Sequence, residues 1–550
     1  PPPPPPPPPL PSPPRHVLFI LLDDLGFGDL PSSSTSIPTP SITSLQSSGV
    51  TLTSSYCQRA CTPSRASVLT GRYNIRYGLQ SGVLKPLKPY GLGLGEVLMP
   101  EVLKGDTGIG EAHMVGKWHL GYAEYEYTPT FRGFDSYYGY LTGSEDYYTH
   151  IDGGGYDLRY QKEPRCGRGC EEIRTGENGT YSTHLFTERA EDIIRRFAEK
   201  AGDSNSDSNS ESSGGGLFLY LAYQAVHAPA QVPPSYSSNF SFPSPSRNAF
   251  AGMLSCADEG IGNVTRALGD AGMLGDTLVV VTSDNGAPTP ACGGAQGGQN
   301  YPLRGGKCTA WEGGLRAATI VAGAGIGEGR RGTVHEGIFH NTDWLPTIRG
   351  AVNGEVGDGD GDGDGDGDGD GDGRRGRREF VGDGVELDGV NQWGMISLGH
   401  PSAREVALLE ADPHSYPSDG PDWGGDQHST PYYALRKGDY KLILGDPGQS
   451  DAPISNAWYC TGPPCPGDHN NTENATSVPA FTADSVQLFD VRNDPSETDD
   501  LAGENGDIVS DMREILEGFL EEAVSSEQQG LPDDQRGNPD NFDGIIMPWL

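Results

Sequence analysis

The sequence is short of positive charge and has no long apolar run. Its 38 Lys and Arg stand against 76 Asp and Glu, a formal net charge of −38. Phosphate recognition needs clustered Lys and Arg, so this balance argues against nucleic-acid and anionic-membrane partners. Any anionic substrate must instead be met by a local cationic pocket. No apolar stretch approaches the roughly 20 residues that span a bilayer, and the run from Val17 to Leu22 suffices only for a buried strand. An initiator Met and a charged-then-apolar leader are also missing: the chain opens on nine prolines, and a targeting segment is expected outside this sequence. Although only 9% of residues are aromatic and 34% hydrophobic, 550 residues still supply a large core and exceed one compact unit, so two domains are expected.

Cysteine is scarce and odd in number, nine in all. In a secreted protein an odd set leaves one thiol unpaired, and setting Cys61 aside leaves eight. Cys166 and Cys170, in a Gly/Arg loop, and Cys460 and Cys465, in a Pro/Gly loop, suit short-range disulfides. Zinc is the rival reading of either pair, although no His or Cys partners at finger-like spacing accompany them. Sequons at Asn178, Asn239, Asn263, Asn470 and Asn474 fit passage through an oxidising secretory route, lysosomal or extracellular.

Residues 1–14 read as an extended polyproline arm. From Arg15 onward, apolar runs such as His16–Leu22, Leu217–Ala222 and Thr277–Thr282 alternate with helical stretches such as Thr187–Lys200 and Phe250–Leu268. That alternation predicts an α/β sheet covered on both faces, in a domain over 15–350. Low-complexity insertions interrupt it: a Ser/Asn/Gly-rich stretch at 203–216, the alternating Gly-Asp run from Gly357 to Gly373, and the basic cluster Arg374–Arg378. None can bury apolar surface, and 351–380 is expected to be a solvated linker. The Gly-Asp run superficially resembles the start of a calcium loop, yet no bidentate Glu or flanking helices follow it. Beyond it, hairpin-like segments such as Tyr432–Gly445 and a helix around Ile508–Ala523 predict a smaller antiparallel α+β unit over 381–550.

Asp23-Asp24 follows the first apolar run, and Asp284-Asn285 emerges in the same way after Leu278–Val281. Alone, either pair reads as a turn or a helix cap. Together they put four oxygen donors at two strand ends, a hard-cation site suited to Ca²⁺ or Mg²⁺. Lys117 and His119 stand two apart in Gly116-Lys-Trp-His-Leu-Gly121, so in an extended segment both would face one side. Such a pair can hold an anion and move a proton; in isolation a surface Lys and a packed His is the plainer reading. His227 in Val226-His-Ala-Pro229 and Lys307 in Arg304-Gly-Gly-Lys307 extend the set, and the latter lacks the glycine spacing and Ser/Thr of a P-loop. As a thiol, Cys61 in Cys61-Thr-Pro-Ser-Arg65-Ala-Ser-Val-Leu-Thr-Gly71 could be a nucleophile or a small buried residue.

That run resembles the Cys-x-Pro-Ser-Arg signature of the formylglycine-dependent sulfatase family, in which a maturation enzyme oxidises the cysteine to formylglycine. With Asp-Asp, Gly-Lys-Trp-His-Leu-Gly, His-Ala-Pro, Ser-Asp-Asn-Gly and Arg-Gly-Gly-Lys all in family order from Val17 to Lys307, the chain is identified as a member of that family. The resemblance continues through Asp343–Thr347 and Gln487–Pro495. Within the family, Leu217–Pro233, Asn300–Arg316 and Gly139–Tyr148 look most like the arylsulfatase B, or N-acetylgalactosamine-4-sulfatase, group.

The resemblance implies an alkaline-phosphatase-like large domain, with a mixed central sheet between helices, and a smaller C-terminal domain with an antiparallel sheet and a helix. It implies hydrolysis of sulfated carbohydrates or aryl sulfates. Asp23, Asp24, Asp284 and Asn285, with residue 61, would bind Ca²⁺. Arg65 and Lys117 would hold the hydrated aldehyde made from Cys61; Lys117, His227 and Lys307 would grip the sulfate. His227 or Lys307 would assist the leaving alcohol, and His119 would take a proton so that sulfate is expelled. The implied partner in maturation is a formylglycine-generating enzyme. Two rivals share the scaffold: a phosphodiesterase or phosphonate monoester hydrolase, and a non-catalytic polysaccharide-binding relative.

Three positions depart from the family pattern. Arg59 stands where a small residue is preferred, which is expected to affect maturation more than catalysis. Gly110 stands for the usual aromatic, which is expected to loosen packing near Lys117. Ser144 is a loose match to a serine that contacts sulfate.

Overall fold

The computed structural model describes residues 11–31, 37–204, 215–288, 292, 297–357, 379–382, 384–412, 432–448, 482, 484–526 and 530–550. The nine leading prolines and Leu10, most of the Ser/Asn/Gly insertion, the Gly-Asp run after Gly357 with its arginine cluster, Cys460, Cys465, Asn470 and Asn474 lie outside the described residues.

His16–Leu22, Gly216–Ala222 and Thr277–Ser283 are buried at every position, which is why they read as unbroken apolar runs rather than alternating ones. His16–Leu22 lies between the other two and parallel to both. Gly216–Ala222 then pairs in parallel with Ile109–Lys117, which pairs in parallel with Ser136–Tyr140. On the opposite side the sheet turns antiparallel, through Arg316–Gly323 to Gly49–Tyr56. The result is an 11-stranded mixed sheet.

Successive side chains of His16–Leu22 go to opposite faces, so one strand feeds two cores. Val17, Phe19 and Leu21 join Val68, Leu69 and Leu345, from the helices Cys61–Thr70 and Trp344–Asn353. Leu18, Ile20 and Leu22 join Leu185 and Phe250, from Ser182–Ser204 and Pro245–Asp270. Helices therefore cover both faces, as the alternation predicted.

A separate four-stranded sheet of Val406–Asp412, Tyr432–Lys437, Tyr440–Leu444 and Val486–Asp490 is antiparallel throughout. Met512, Ile515 and Leu516 of the helix Gly506–Glu521 pack on Leu408, Leu435, Leu442 and Leu488 of this sheet. Its other face meets Tyr56, Trp311 and Leu315 of the large unit. The last residues return to the large unit, with Ile546 in its core and Trp549 edge-on to Tyr122. Among the described residues, no helix is long and apolar enough to cross a membrane.

Cys166 and Cys170 form the expected disulfide. Two expectations need correction. Cys61 is not the sole unpaired thiol: Cys57 and Cys256 are also free and buried, while Cys292 pairs with Cys308. Cys57 donates to the Leu315 carbonyl at 3.1 Å and Cys256 sits among apolar side chains, each acting as a small core residue. Gly110 does not loosen the surroundings of Lys117; it is exposed, near the opposite end of the same strand, where the register with Gly216–Ala222 shifts. Of the described sequons, Asn178 and Asn239 are exposed and Asn263 is partly so.

Candidate active site

Register and strand direction assemble the site. Leu22 is paired with Ser283 in parallel, so Asp23-Asp24 and Asp284-Asn285 leave the sheet side by side. The parallel strands Gly216–Ala222 and Ile109–Lys117 end on the same edge, delivering His227 and Lys117 to the crevice where open α/β sheets place ligands. The helix Cys61–Thr70 contributes Cys61 and Arg65, and the loop before Arg316–Gly323 contributes Lys307.

Nearly all of these side chains are withdrawn from solvent, and buried charges have to be paired. Arg65 donates to Asp284 Oδ2 from Nη2 at 2.8 Å and from Nε at 3.1 Å, with Asp23 Oδ2 3.4 Å from Nη2. Lys117 Nζ donates to Asp23 Oδ2 at 2.5 Å, and Lys307 Nζ to Asp24 Oδ1 at 2.7 Å. Asn285 Nδ2 also donates to Asp24 Oδ1, at 2.6 Å, and the Asp24 amide donates to Asp284 Oδ1 at 3.2 Å. His227 Nε2 is 3.7 Å from Asp24 Oδ2. Three carboxylates thus face three permanent cations.

Burial pushes the pKa values of Asp23 and Asp24 up, but their cations outweigh it: Lys117, His227 and Arg65 for Asp23, Lys307 and His227 for Asp24. Both end below the usual carboxylate range. Cys61 behaves oppositely. Its thiol donates to Asp23 Oδ1 at 3.6 Å, and burial pushes it up to about 12 despite Lys117 and Lys307. As a thiol it is therefore protonated at neutral pH and a poor nucleophile.

The sequence places Lys117 and His119 on one face by strand alternation, and the structure does not. The strand ends at Lys117, and His119 has φ 60°, in the left-handed region. What brings the imidazole in is Leu84, whose carbonyl accepts from Nε2 at 2.9 Å. A carbonyl can only accept, so Nε2 carries the proton and Nδ1 is the basic nitrogen. Nδ1 is buried without a hydrogen-bond partner among the described residues. Burial, then Lys117 and Arg65, hold this histidine well below its ordinary value, so it is neutral. Burial likewise lowers His227. Gly143 packs against the ring; a Cβ there would come within 2.6 Å of Nε2.

Two oxygens in this cluster are unspent. Asp24 Oδ2 and Asn285 Oδ1 are buried with no hydrogen-bond partner among the described residues. Asp23, Asp24, Cys61 and His227 each offer a ligand atom, all within 4.8 Å of one another. Carboxylate and amide oxygens with unused lone pairs are the donor set of a hard cation.

Sequence reasoning missed Leu84 and Thr62. Thr62 Oγ1 accepts from the Leu84 amide at 3.1 Å and donates to the His119 carbonyl at 3.1 Å, so it ties both segments to the helix that starts with Cys61. Adjacency to Cys61 was its one signal. Arg59 is buried against the smaller sheet, 3.6 Å from Glu410, 3.5 Å from Asp412 and over the Tyr432 ring. Ser144 Oγ donates to Asp152 at 3.4 Å.

The sulfatase family model matches residues 15–354. Arylsulfatase J of Mus musculus is 34% identical over 543 residues, 97% of this chain and 80% of that protein. N-acetylgalactosamine-6-sulfatase of Sus scrofa is 32% identical over 331 residues, 56% of this chain and 57% of that protein. Among solved structures, Ps i-CgsB in complex with k-i-k-neocarrahexaose matches with a TM-score of 0.67 at 21% identity, over 97% of each chain. With a family match over more than half its length and a relative aligned along nearly all of it, the chain belongs to the sulfatase family.

Proposed function

We propose that this sulfatase removes sulfate from sulfated sugars, with residue 61 as formylglycine and Ca²⁺ held by Asp23, Asp24, Asp284, Asn285 and residue 61. The observation that carries the reading is Cys61 itself: a thiol held protonated by burial, at the centre of three carboxylates and three cations. Left as cysteine, it has anion-holding neighbours and no competent nucleophile. In its hydrated form formylglycine supplies one hydroxyl to attack sulfur in line and a second whose deprotonation lets the sulfate leave. Ca²⁺, held by Asp23, Asp24, Asp284 and Asn285, would supply a fixed positive charge beside residue 61.

The chain's own residues do the rest. Arg65 pairs with Asp23 and Asp284 and, with Lys117, stabilises negative charge on residue 61. Lys117, His227 and Lys307 hold the sulfate oxygens, and His227 or Lys307 gives the leaving alcohol its proton. His119 Nδ1 accepts the proton released from residue 61. The neutral state of His119 and its free Nδ1 support that role.

A route through the secretory pathway, to a lysosomal or extracellular destination, is part of the proposal. It is supported by the Cys166–Cys170 and Cys292–Cys308 disulfides and by exposed Asn178 and Asn239. A formylglycine-generating enzyme would be met on the way. The substrate class is supported by the N-acetylgalactosamine-6-sulfatase relative.

The test compares turnover of p-nitrophenyl sulfate with that of bis(p-nitrophenyl) phosphate and a p-nitrophenyl phosphonate. The sulfate ester is expected to be the preferred substrate. Faster cleavage of the diester or the phosphonate overturns the assignment.

A further inference from the structure

The chain has nine lysines, and eight of them form ion pairs. Lys85 alone forms none among the described residues. In a chain of net charge −38, a lysine left without a carboxylate is conspicuous. It is partly buried rather than free in solvent, and with Tyr90, His119, Tyr122 and Thr142 it lines one narrow cleft. Its neighbour Lys88 lines the same cleft but is neutralised, with Asp533 at 3.1 Å and the Leu531 carbonyl at 2.5 Å.

The backbone around Lys85 is held from several sides. Leu84 accepts from His119 Nε2 at 2.9 Å and donates to Thr62 Oγ1 at 3.1 Å. Leu87 accepts from the Asp534 amide at 2.9 Å and donates to the Tyr122 hydroxyl at 3.5 Å. Pro86 restricts Lys85 to extended backbone. The ammonium is thus carried on a fixed segment one residue from the carbonyl that orients His119. Asp23, Asp24 and Asp284 already have their own cations, which leaves the charge of Lys85 for a group outside the sulfate pocket.

We propose that Lys85 is a specificity-determining residue that binds a second anionic group of the substrate, a sulfate or carboxylate on the sugar next to the scissile ester. The inference rests on the sulfate-ester reading above. An unpaired ammonium on a preorganised segment binds an anion without first breaking an internal ion pair. It also offers an otherwise acidic enzyme a local attraction for a polyanion.

The test uses the full chain and its Lys85→Glu, Lys85→Met and Lys85→Arg variants. kcat/KM is measured on a disaccharide bearing one sulfate and no other charge, and on two more bearing a second sulfate or a carboxylate on the neighbouring ring. The preference for the doubly anionic substrates is expected to fall about tenfold in Lys85→Glu and Lys85→Met, through KM, and to be largely kept in Lys85→Arg. The two doubly anionic substrates tell which anion is read. An unchanged preference in Lys85→Met overturns the proposal. If the wild type cleaves no sulfate ester at all, the reaction assigned above fails instead. Calorimetric titration with sucrose octasulfate then decides the role of Lys85: binding about tenfold weaker in Lys85→Glu supports it, and equal binding overturns it.

Discussion

Nε2 of His119 donates to the backbone oxygen of Leu84 at 2.9 Å, and this bond between residues 35 apart decides which nitrogen of the imidazole is the base. The proton sits on Nε2, the lone pair on Nδ1, and burial beside Lys117 and Arg65 keeps the ring neutral.

The pH dependence follows from that environment. The folded-state pKa of His119 lies well below 6.5, so the neutral base persists as pH falls through 6.5. The acid limb of kcat is expected below that pH, and His119→Ala is expected to lower kcat by about 10²- to 10⁴-fold. The same shift acts on stability. Below about 6.5 the unfolded chain binds a proton that the folded chain refuses, so this contribution is complete above that pH and is lost as pH falls. A pH–rate profile whose acid limb lies above 6.5 would count against His119 as the base.

Arg59 lies two positions before Cys61 yet is anchored in the smaller sheet by Glu410, Asp412 and the Tyr432 ring. Arg59→Ala leaves two buried carboxylates without this cation, and is expected to reduce stability by about 3–5 kcal/mol. Urea unfolding checks this. A variant as stable as the wild type would mean that the link between the two sheets does not depend on Arg59.

Chelation and calcium return probe the unspent oxygens of Asp24 and Asn285. At a hundredfold excess over Kd, calcium is expected to stabilise the chelated protein by about 2.7 kcal/mol. Asn285→Ala is expected to remove most of that gain. Asp284→Asn should also weaken calcium binding, but it disturbs the partner of Arg65 as well, so Asn285 is the cleaner probe. An undiminished calcium response in Asn285→Ala would contradict the assigned site.

Much of the frame was legible because its signals are local. His16–Leu22 and Thr277–Ser283 carry the unbroken apolar stretches Val17–Leu22 and Leu278–Val281, and the expected helices Thr187–Lys200 and Phe250–Leu268 lie inside Ser182–Ser204 and Pro245–Asp270. The acidic pairs were readable because they directly follow such strands. Gly49–Tyr56 was not, since its Ser and Thr content hides a buried strand in the antiparallel part of the sheet. The orientation of His119 depends on a carbonyl distant in sequence, and a carbonyl belongs to every residue and marks none. Arg59 looked like a departure from a motif until the carboxylates of a later strand appeared beside it.

Activity depends on converting Cys61, and mass spectrometry of the tryptic peptide Ala60–Arg65 checks this. The peptide is to be taken from protein made in a eukaryotic host, across preparations of differing specific activity. An aldehyde at position 61 is expected in a fraction that rises in step with turnover of p-nitrophenyl sulfate, with no turnover in Cys61→Ala. Full activity in a preparation that carries only the thiol would contradict it.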